Sequence, residues 1–567
     1  MVIAGTRAVR PVWEQAMAST SRKRVHRSVS GPGPGPWPIV SILPLLDVLW
    51  ADGPVGIRGG HAGVLSCFRS VTASSHSVAE GDLFVAVPGI RQDGAEYASE
   101  ALARGAASVV SERDWRDVLP GRLPPGRSWI RVLDAKRAVG AIASLTTRAS
   151  LTTRVPSGSL TCVGVTGTNG KTTTCTLLRS VLETAGVRTG LLTTVETDVL
   201  SSREASPATT PEATFVHGSL ARIREAGGKA AVLEVSSHGL VQARLEGVHF
   251  DGAVFTNLTP EHLDYHKTLE SYLEAKSLLF RRLEPSAFAV LNAESPASRR
   301  LSEVTRARVA FTAIEGVDPV LTHGLDRSIV ARHLTLGPDG SRFLLEGFGG
   351  EPLGEVRLRL VGRHNVENAL GAAAAALLLG VPRTMVCRGL SEAVAAPGRL
   401  EPVDGPQAFR VLVDYAHTED ALERVLLTLR TFSPATLRLV MGCGGDRDAG
   451  KRPRMGRVAA RLADHTYVTS DNPRGEDPGA IISDIVRGFP ASASFVVEPD
   501  RRAAITAAIG DAGPGDIVLI AGKGHESSQI IGDRTLSFDD RIVAREILEL
   551  LAGERGWPEG RGTGVLA

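Results

Sequence analysis

Residues 160–173 read LTCVGVTGTNGKTT, an apolar run that meets a glycine-bracketed loop ending in Lys171, Thr172 and Thr173. Glycines let backbone N–H groups close around phosphate oxygens. A lysine supplies a point charge to the outer phosphates, and a hydroxyl can ligate Mg²⁺. Leu177, Leu178, Val181 and Leu182 follow at the spacing of one helix face, so a helix N-terminus adds its dipole to the same phosphates. Gly167, Thr168, Asn169, Gly170, Lys171, Thr172 and Thr173 therefore form a candidate ATP-binding loop, with Lys171 its catalytic cation. The competing reading of the string alone is a tight glycine turn with a solvated lysine. The strand before it and the helix after it favour the nucleotide.

Such a loop needs a sheet to hold it. Residues 160–166, 190–195, 230–235, 252–257 and 287–291 are apolar runs of strand length, mostly separated by helical stretches, which predicts a mostly parallel α/β sheet covered on both faces. The last third repeats the pattern at 409–413, 437–441, 466–469, 494–497 and 517–520. Four of these runs lead into polar motifs: DYAH, GCGGDRD, SDNPR and AGKGHE. Ligands of open α/β sheets bind at the carboxyl ends of strands, so four such motifs describe one cleft. A smaller α/β unit is predicted earlier, with strands at 82–87 and 107–111 and a helix at 95–104. The Ala-rich stretch 369–381 is short, interrupted by Gly371 and Gly380, and reads as a buried helix.

A chain of 567 residues with 43% hydrophobic content supports three or four domains. The expected division is a disordered tail at 1–41, domains at 42–154, 155–397 and 398–553, and a frayed tail at 554–567. The first tail is Arg-rich and runs into GPGPGPWP at 31–38, which cannot be helix or sheet interior; an over-long start is the alternative. Residues 150–158 are expected to be a linker and 396–398 a hinge. With 64 Lys plus Arg against 62 Asp plus Glu, the surface charge gives no case for a nucleic-acid partner. The 5 cysteines lack CxxC spacing, which fits a reducing cytoplasm, and no apolar run is long enough to span a membrane.

Together with EVSSHGL at 234–240 and NLTPEHLDYH at 257–266, these motifs make the chain resemble the Mur ligases from about residue 70 to 550. Within that family it is most similar to the branch that adds the third amino acid of the cell-wall stem peptide. The resemblance implies three domains: one for a UDP-sugar, one a P-loop domain for ATP, and one Rossmann-like domain for the incoming amino acid. It implies a cytoplasmic, monomeric enzyme of cell-wall biogenesis acting on small molecules. A carboxylate attacks the γ-phosphate of ATP, and an amine then displaces phosphate from the acyl phosphate. Cations must surround the phosphates in both steps.

Glu234 and His262 are candidate Mg²⁺ ligands beside Thr172, since oxygen and imidazole can both serve. A capping carboxylate and a structural histidine are the bland alternatives. The family places a carbamylated lysine, N6-carboxylysine, at Lys276, which would turn a cation into a metal-holding anion. By similarity the UDP-muramoyl dipeptide maps to Ser75, Ile90, Arg91, Gln92, Thr209, Thr210, Ser236, Gln242 and Arg244. Asn365, Asn368, Asp414 and His417 map near adenine and ribose, and His364 is either a stacking or a surface histidine. Three positions depart from the family pattern: Ser74, Ala208 and Glu261.

The form Asp471-Asn472-Pro473-Arg474 is the one the family associates with diaminopimelate. Arg474 can bind a distal carboxylate bidentately while an acidic group and an amide take the ammonium. Arg447, Gly522 and Glu526 complete that pocket by similarity. The rival readings are a divergent relative with another acceptor, a folylpolyglutamate-synthase-like ligase, and a non-ligating P-loop ATPase.

Overall fold

The computed structural model describes residues 37–38, 67–89, 92–147, 160–316, 328–337, 339–405 and 407–555. The first unit is a four-stranded parallel sheet in the order Val71–Thr72, Leu83–Ala86, Ser108–Ser111 and Ser128–Arg131. The helix expected at 95–104 opens as a 3₁₀ turn, Gly94–Tyr97, because the Asp93 carboxylate accepts from the Ala95 N–H and tightens the entry. Helix Ala135–Thr146 packs on helix Ala213–Glu225 of the next unit. Gly140 lies at this seam, where an added Cβ would come within 2.7 Å of the Glu246 Cβ.

The central sheet has 11 strands. Its parallel core runs Thr189–Leu192, Ala230–Glu234, Thr161–Thr166, Gly252–Phe255, Phe288–Asn292, Arg308–Ile314 and Ser328–Gly337. The apolar runs predict this core because both faces are covered. On one face, Leu177, Leu178 and Val181 of helix Lys171–Thr184 meet the alanines of helix Arg363–Leu378 in one buried cluster. The strand expected at 190–195 stops at Leu192. The Thr193 hydroxyl accepts from the Glu196 N–H, and the chain turns into the antiparallel strand Glu196–Asp198. At the other edge Gly340–Glu346 and Pro352–Leu358 add antiparallel strands that the sequence reading lacks.

The C-terminal sheet orders Glu401–Pro402, Arg410–Asp414, Ile517–Ala521, Leu437–Met441, His465–Val468 and Phe495–Val497, parallel except for the first. A separate hairpin, Ser528–Ile531 with Arg534–Ser537, stands beside it. Two expectations about the ends need correction. Trp37–Pro38 pairs with Cys67–Phe68 in a two-stranded ribbon, where a proline at an edge costs no ladder hydrogen bond. The last helix, Asp540–Arg555, runs into the stretch expected to fray from 554, because Val543, Ala544, Ile547 and Leu548 bury one face. The proposed linker at 150–158, like most of the first 41 residues, lies outside the described residues.

Candidate active site

The loop at 167–170 leaves strand Thr161–Thr166 and caps helix Lys171–Thr184. Gly167 and Gly170 have φ of 151° and 85°. A Cβ on either would come within 1.9 Å of Thr256 Oγ1 or 2.1 Å of Asn368 Oδ1, so both glycines are required by space as well as by dihedral. Asn257 braces the loop, its backbone carbonyl accepting from Thr168 N–H and its side-chain oxygen from Asn169 N–H, both at 2.9 Å. Lys171 donates to the carbonyls of Gly167 at 3.1 Å and Thr168 at 2.7 Å.

Lys276, 1% exposed, comes from helix Leu269–Arg281 and donates to the same Gly167 carbonyl at 2.8 Å, with its ammonium 4.2 Å from the Tyr272 ring centroid. Burial first, then the neighbouring Lys171, push its ammonium well below the usual lysine range, against the pull of Glu261. Glu261 has the imidazoles of His262 and His417 each at 3.8 Å. Burial alone would raise its carboxyl; His262, Lys171, His417 and Lys276 together hold it below the ordinary value. Glu261 thus faces two imidazoles and lies in the field of Lys171, which makes it more than a departure from a motif.

Glu234 ends strand Ala230–Glu234 at 2% exposure and accepts from the Thr194 N–H at 3.1 Å and hydroxyl at 2.8 Å. Among the described residues no lysine or arginine pairs with it. His262 lies beyond strand Gly252–Phe255, at φ 55°, with its ring 4.8 Å from that of His238. Among the described residues no three His, Cys, Asp or Glu side chains gather as a ready metal centre.

The C-terminal unit reaches the loop directly. Asn169 Nδ2 donates to Asp420 at 2.8 Å, and Arg399 Nη2 donates to the Thr172 hydroxyl at 3.3 Å. Arg399 also lies over Tyr415, 4.7 Å from its ring centroid. A cavity of about 70 Å³ opens here, lined by Asn169, Gly170, Thr173, His364, Asn365, Asn368, Arg399, Asp414 and Arg424 among others. Asn365 and Asn368 bond each other at 3.2 Å. Asp414 accepts from the N–H groups of Leu400 and Ala416, which ties the hinge to its strand, and burial raises its carboxyl. His364 is half-buried in the wall of this cavity, and burial lowers its imidazole to about 4. His417, expected near adenine and ribose, has its Nδ1 2.9 Å from the Tyr415 carbonyl and its Nε2 3.8 Å from Glu261.

Of the residues mapped to the UDP-sugar, one group gathers behind Glu234. Thr210 Oγ1 donates to the Glu234 carbonyl, and Thr209 Oγ1 accepts from Thr194. Arg244 donates to the Thr210 carbonyl at 2.7 Å, Ser236 caps helix Ser237–Val241, and Gln242 closes it. Ser75 and Gln92 lie on the first unit. The Ser75 hydroxyl is buried and spent on Glu100 at 3.2 Å, and Gln92 accepts from Tyr97. Ile90 and Arg91 lie outside the described residues.

The amino-acid motifs meet at the ends of strands His465–Val468 and Ile517–Ala521. Asp471 and Asn472 are buried. Asn472 Nδ2 donates to Glu526 Oε2 at 2.7 Å. Arg474, at φ 51°, donates to the Gly445 carbonyl at 2.8 Å and is only half-buried. Pro473 accepts from the Glu476 N–H through its carbonyl, and Gly522 at φ 115° passes so close to Asp471 that a Cβ would stand 2.9 Å from its carboxylate. Arg447 is exposed and, among the described residues, bonds only its neighbour's carbonyl. The sequence reading missed Arg399, directly after the 396–398 hinge, and Lys523 inside the AGKGHE motif. Their positions carried the signal; the contacts that place them in the site, to Thr172 and Asn472, are far away in sequence.

Comparison with known proteins agrees with this arrangement. Residues 68–147 match the model described as Mur ligase family, catalytic domain; 165–376 match Mur ligase middle domain; and 398–524 match Mur ligase, glutamate ligase domain. The chain is 41% identical over 527 residues to the UDP-N-acetylmuramoyl-L-alanyl-D-glutamate--2,6-diaminopimelate ligase of Geobacillus kaustophilus, covering 91% of this chain and 100% of that protein. It is 39% identical over 514 residues to the protein of the same name from Halalkalibacterium halodurans, covering 90% and 99%. A solved structure of a ligase of that name aligns with TM-score 0.60 at 31% identity, covering 86% of this chain and 95% of the other.

Proposed function

The chain belongs to the Mur ligase family, and on that premise we propose that it joins diaminopimelate to UDP-N-acetylmuramoyl-L-alanyl-D-glutamate with consumption of ATP. A carboxylate oxygen of the dipeptide attacks the γ-phosphorus, and the bond to the β-phosphate oxygen breaks to release ADP. The amine nitrogen of diaminopimelate then attacks the acyl carbon, loses a proton, and expels phosphate as the amide forms. Residues 167–173 cradle the phosphates, and Lys171 exchanges its carbonyl partners for phosphate oxygens. Asn365, Asn368 and Asp414 take the nucleoside end. The groups around Thr209, Thr210, Ser236 and Arg244 take the acceptor, and Arg399 couples the C-terminal unit to the loop.

The donor set fits Mg²⁺: Thr172 offers a hydroxyl, and Glu234 is a buried carboxylate with no cationic partner among the described residues. Bound there, the ion would neutralise charge developing on the transferred phosphoryl group. His262 is a further ligand on this reading. Lys276, fully buried and held below its usual range, is the amine expected to carry the carbamate. Such substrates are cytoplasmic, and so is the proposed site of action.

The observation that carries the substrate assignment is the half-buried Arg474 beside the Asn472–Glu526 pair: one group for a distal carboxylate, the other for its ammonium. Phosphate release should require the UDP-muramoyl dipeptide and diaminopimelate together. Release with neither would return the chain to the ATPase reading.

A further inference from the structure

Lys523 has no exposed surface, yet it carries a charge into the base of the amino-acid pocket. Its ammonium has three acceptors: Asn472 Oδ1 at 3.1 Å, Glu526 Oε2 at 3.3 Å and the Ser528 carbonyl at 2.6 Å. An ammonium has three protons, so this capacity is full and none is left for a ligand. Asp471 stands at 3.8 Å as a second counter-charge. The three acceptors belong to three of the segments around the pocket: the 471–474 loop, the turn after strand Ile517–Ala521, and the hairpin that opens at Ser528.

The Asn472 amide shows what this does. Its Oδ1 receives both Lys523 and the Ile530 N–H at 3.0 Å, so its Nδ2 must face the other way, where it donates to Glu526. A flipped amide would set donors against donors. Glu526 is oriented in turn. Its Oε2 accepts from Asn472 and Lys523, and among the described residues no protein group bonds its Oε1. Two carboxylates against one ammonium leave one net negative charge, which suits a cationic ligand group.

We propose, resting on the diaminopimelate reading of this pocket, that Lys523 is a positioning residue: through its buried contacts it sets the Asn472 amide and the Glu526 carboxylate to receive the distal ammonium of the incoming amino acid. It touches no substrate. It acts only on amino-acid capture, because the phosphate loop is built on other segments.

The test uses the full chain with two substitutions. Lys523→Met removes the charge and every donor; Lys523→Gln removes the charge but keeps N–H donors for Asn472 and Ser528. Acyl-phosphate formation is measured without amino acid, by isotope exchange between ADP and ATP in the presence of the UDP-muramoyl dipeptide. It should stay within about twofold of wild type in both variants. The KM for diaminopimelate should rise roughly 30-fold in Lys523→Met and roughly 3- to 10-fold in Lys523→Gln, the scale of lost hydrogen bonds to charged groups, with the KM for ATP unchanged. If the Met variant does not fold, the Gln variant alone decides, since its amide keeps a polar donor among the buried acceptors. A diaminopimelate KM within about twofold of wild type in a folded variant, or an equal loss of acyl-phosphate formation, overturns the proposal. If wild type uses lysine in place of diaminopimelate, the substrate reading falls. The same KM comparison run with lysine then still judges Lys523.

Discussion

The phosphate loop takes its ligand groups from one unbroken run, residues 167–173, whereas the amino-acid pocket draws on segments at 444–447, 471–474 and 522–530. Their charges are handled differently too. Lys171 and Lys276 are held mainly by backbone carbonyls, and each could be lost without stranding a carboxylate hydrogen-bonded to it. In the pocket the fully buried cations are matched to anions inside the protein, while Arg474 and Arg447 nearer the surface are held by carbonyls. Lys523 meets Glu526, and beneath them the fully buried Arg501 pairs with Asp540 while donating to the carbonyls of Ser470 and Ala521, just before the two motifs. A loop built on carbonyls keeps its cations available for phosphate. A pocket built on ion pairs fixes geometry in advance, and breaking one pair misplaces its neighbours.

This contrast orders the expected effects. Lys171→Ala should be the most severe, lowering kcat by roughly 10³-fold or more because the charge on the transferring phosphoryl group is gone. UDP-sugar binding, followed by calorimetry, should survive. Near wild-type turnover would exclude the loop as the ATP site.

Lys276→Ala should follow, with kcat down by roughly 10²-fold or more and partial rescue by added short carboxylates, on the hypothesis that a carbamate acts there. The pH dependence has a definite sign. Lys276 is pushed below its usual range, so its neutral amine, the form that takes up CO₂, is present at lower pH than for an exposed lysine. Acid returns the amine to ammonium, so activity should fall as pH drops and recover with added bicarbonate at fixed pH. Full activity in unrescued Lys276→Ala would refute the role.

Arg474→Ala should act on selectivity. The guanidinium is half-buried and already donates to Gly445, so losing a carboxylate partner costs less than for a fully buried arginine. The preference for diaminopimelate over lysine should shrink by roughly 10- to 150-fold, about 1.5–3 kcal/mol, and Arg474→Lys should recover little of it. Equal damage with both amino acids would separate Arg474 from specificity.

The smallest effect belongs to the seam between the first two units, where neither pocket is involved. His217 has no exposed surface, its Nε2 lies 2.8 Å from the Glu246 carbonyl, and burial lowers its imidazole to about 4. The unfolded chain protonates this group near pH 6.5 while the folded chain resists, so stability falls as pH drops from about 6.5 toward about 4. At pH 5.5 that loss is about 1.4 kcal/mol. Denaturant titrations at pH 7.5 and 5.5 should show His217→Gln losing less than wild type by about that amount. An identical pH-dependent loss in both proteins would remove His217 from the acid response.

The same contrast explains what the sequence makes legible. Strands such as Ala230–Glu234 and Phe288–Asn292 are buried on every residue, so they stand out as apolar runs. The last two strands of the central sheet, Gly340–Glu346 and Pro352–Leu358, mix buried with exposed positions, with Arg342, Glu355 and Arg357 interleaved, and read as polar segments. The phosphate loop is legible because its partners are adjacent. Arg399 is not, since its bond to Thr172 spans 227 positions, and Lys523 reaches Asn472 across 51. His417 shows the limit from the other side. Its motif marks it as a site residue, but only the fold shows its Nδ1 at the Tyr415 carbonyl and its Nε2 3.8 Å from Glu261.

The central claim is that a carbonyl-held phosphate loop and a charge-matched pocket together attach diaminopimelate. The most direct measurement is the product mass after incubation with ATP, Mg²⁺, the UDP-muramoyl dipeptide, and diaminopimelate and lysine in equal amounts. The expected result is the dipeptide heavier by diaminopimelate less one water, with little lysine product. A gain of lysine less one water as the main product, or ATP hydrolysed with no new amide, would contradict the account.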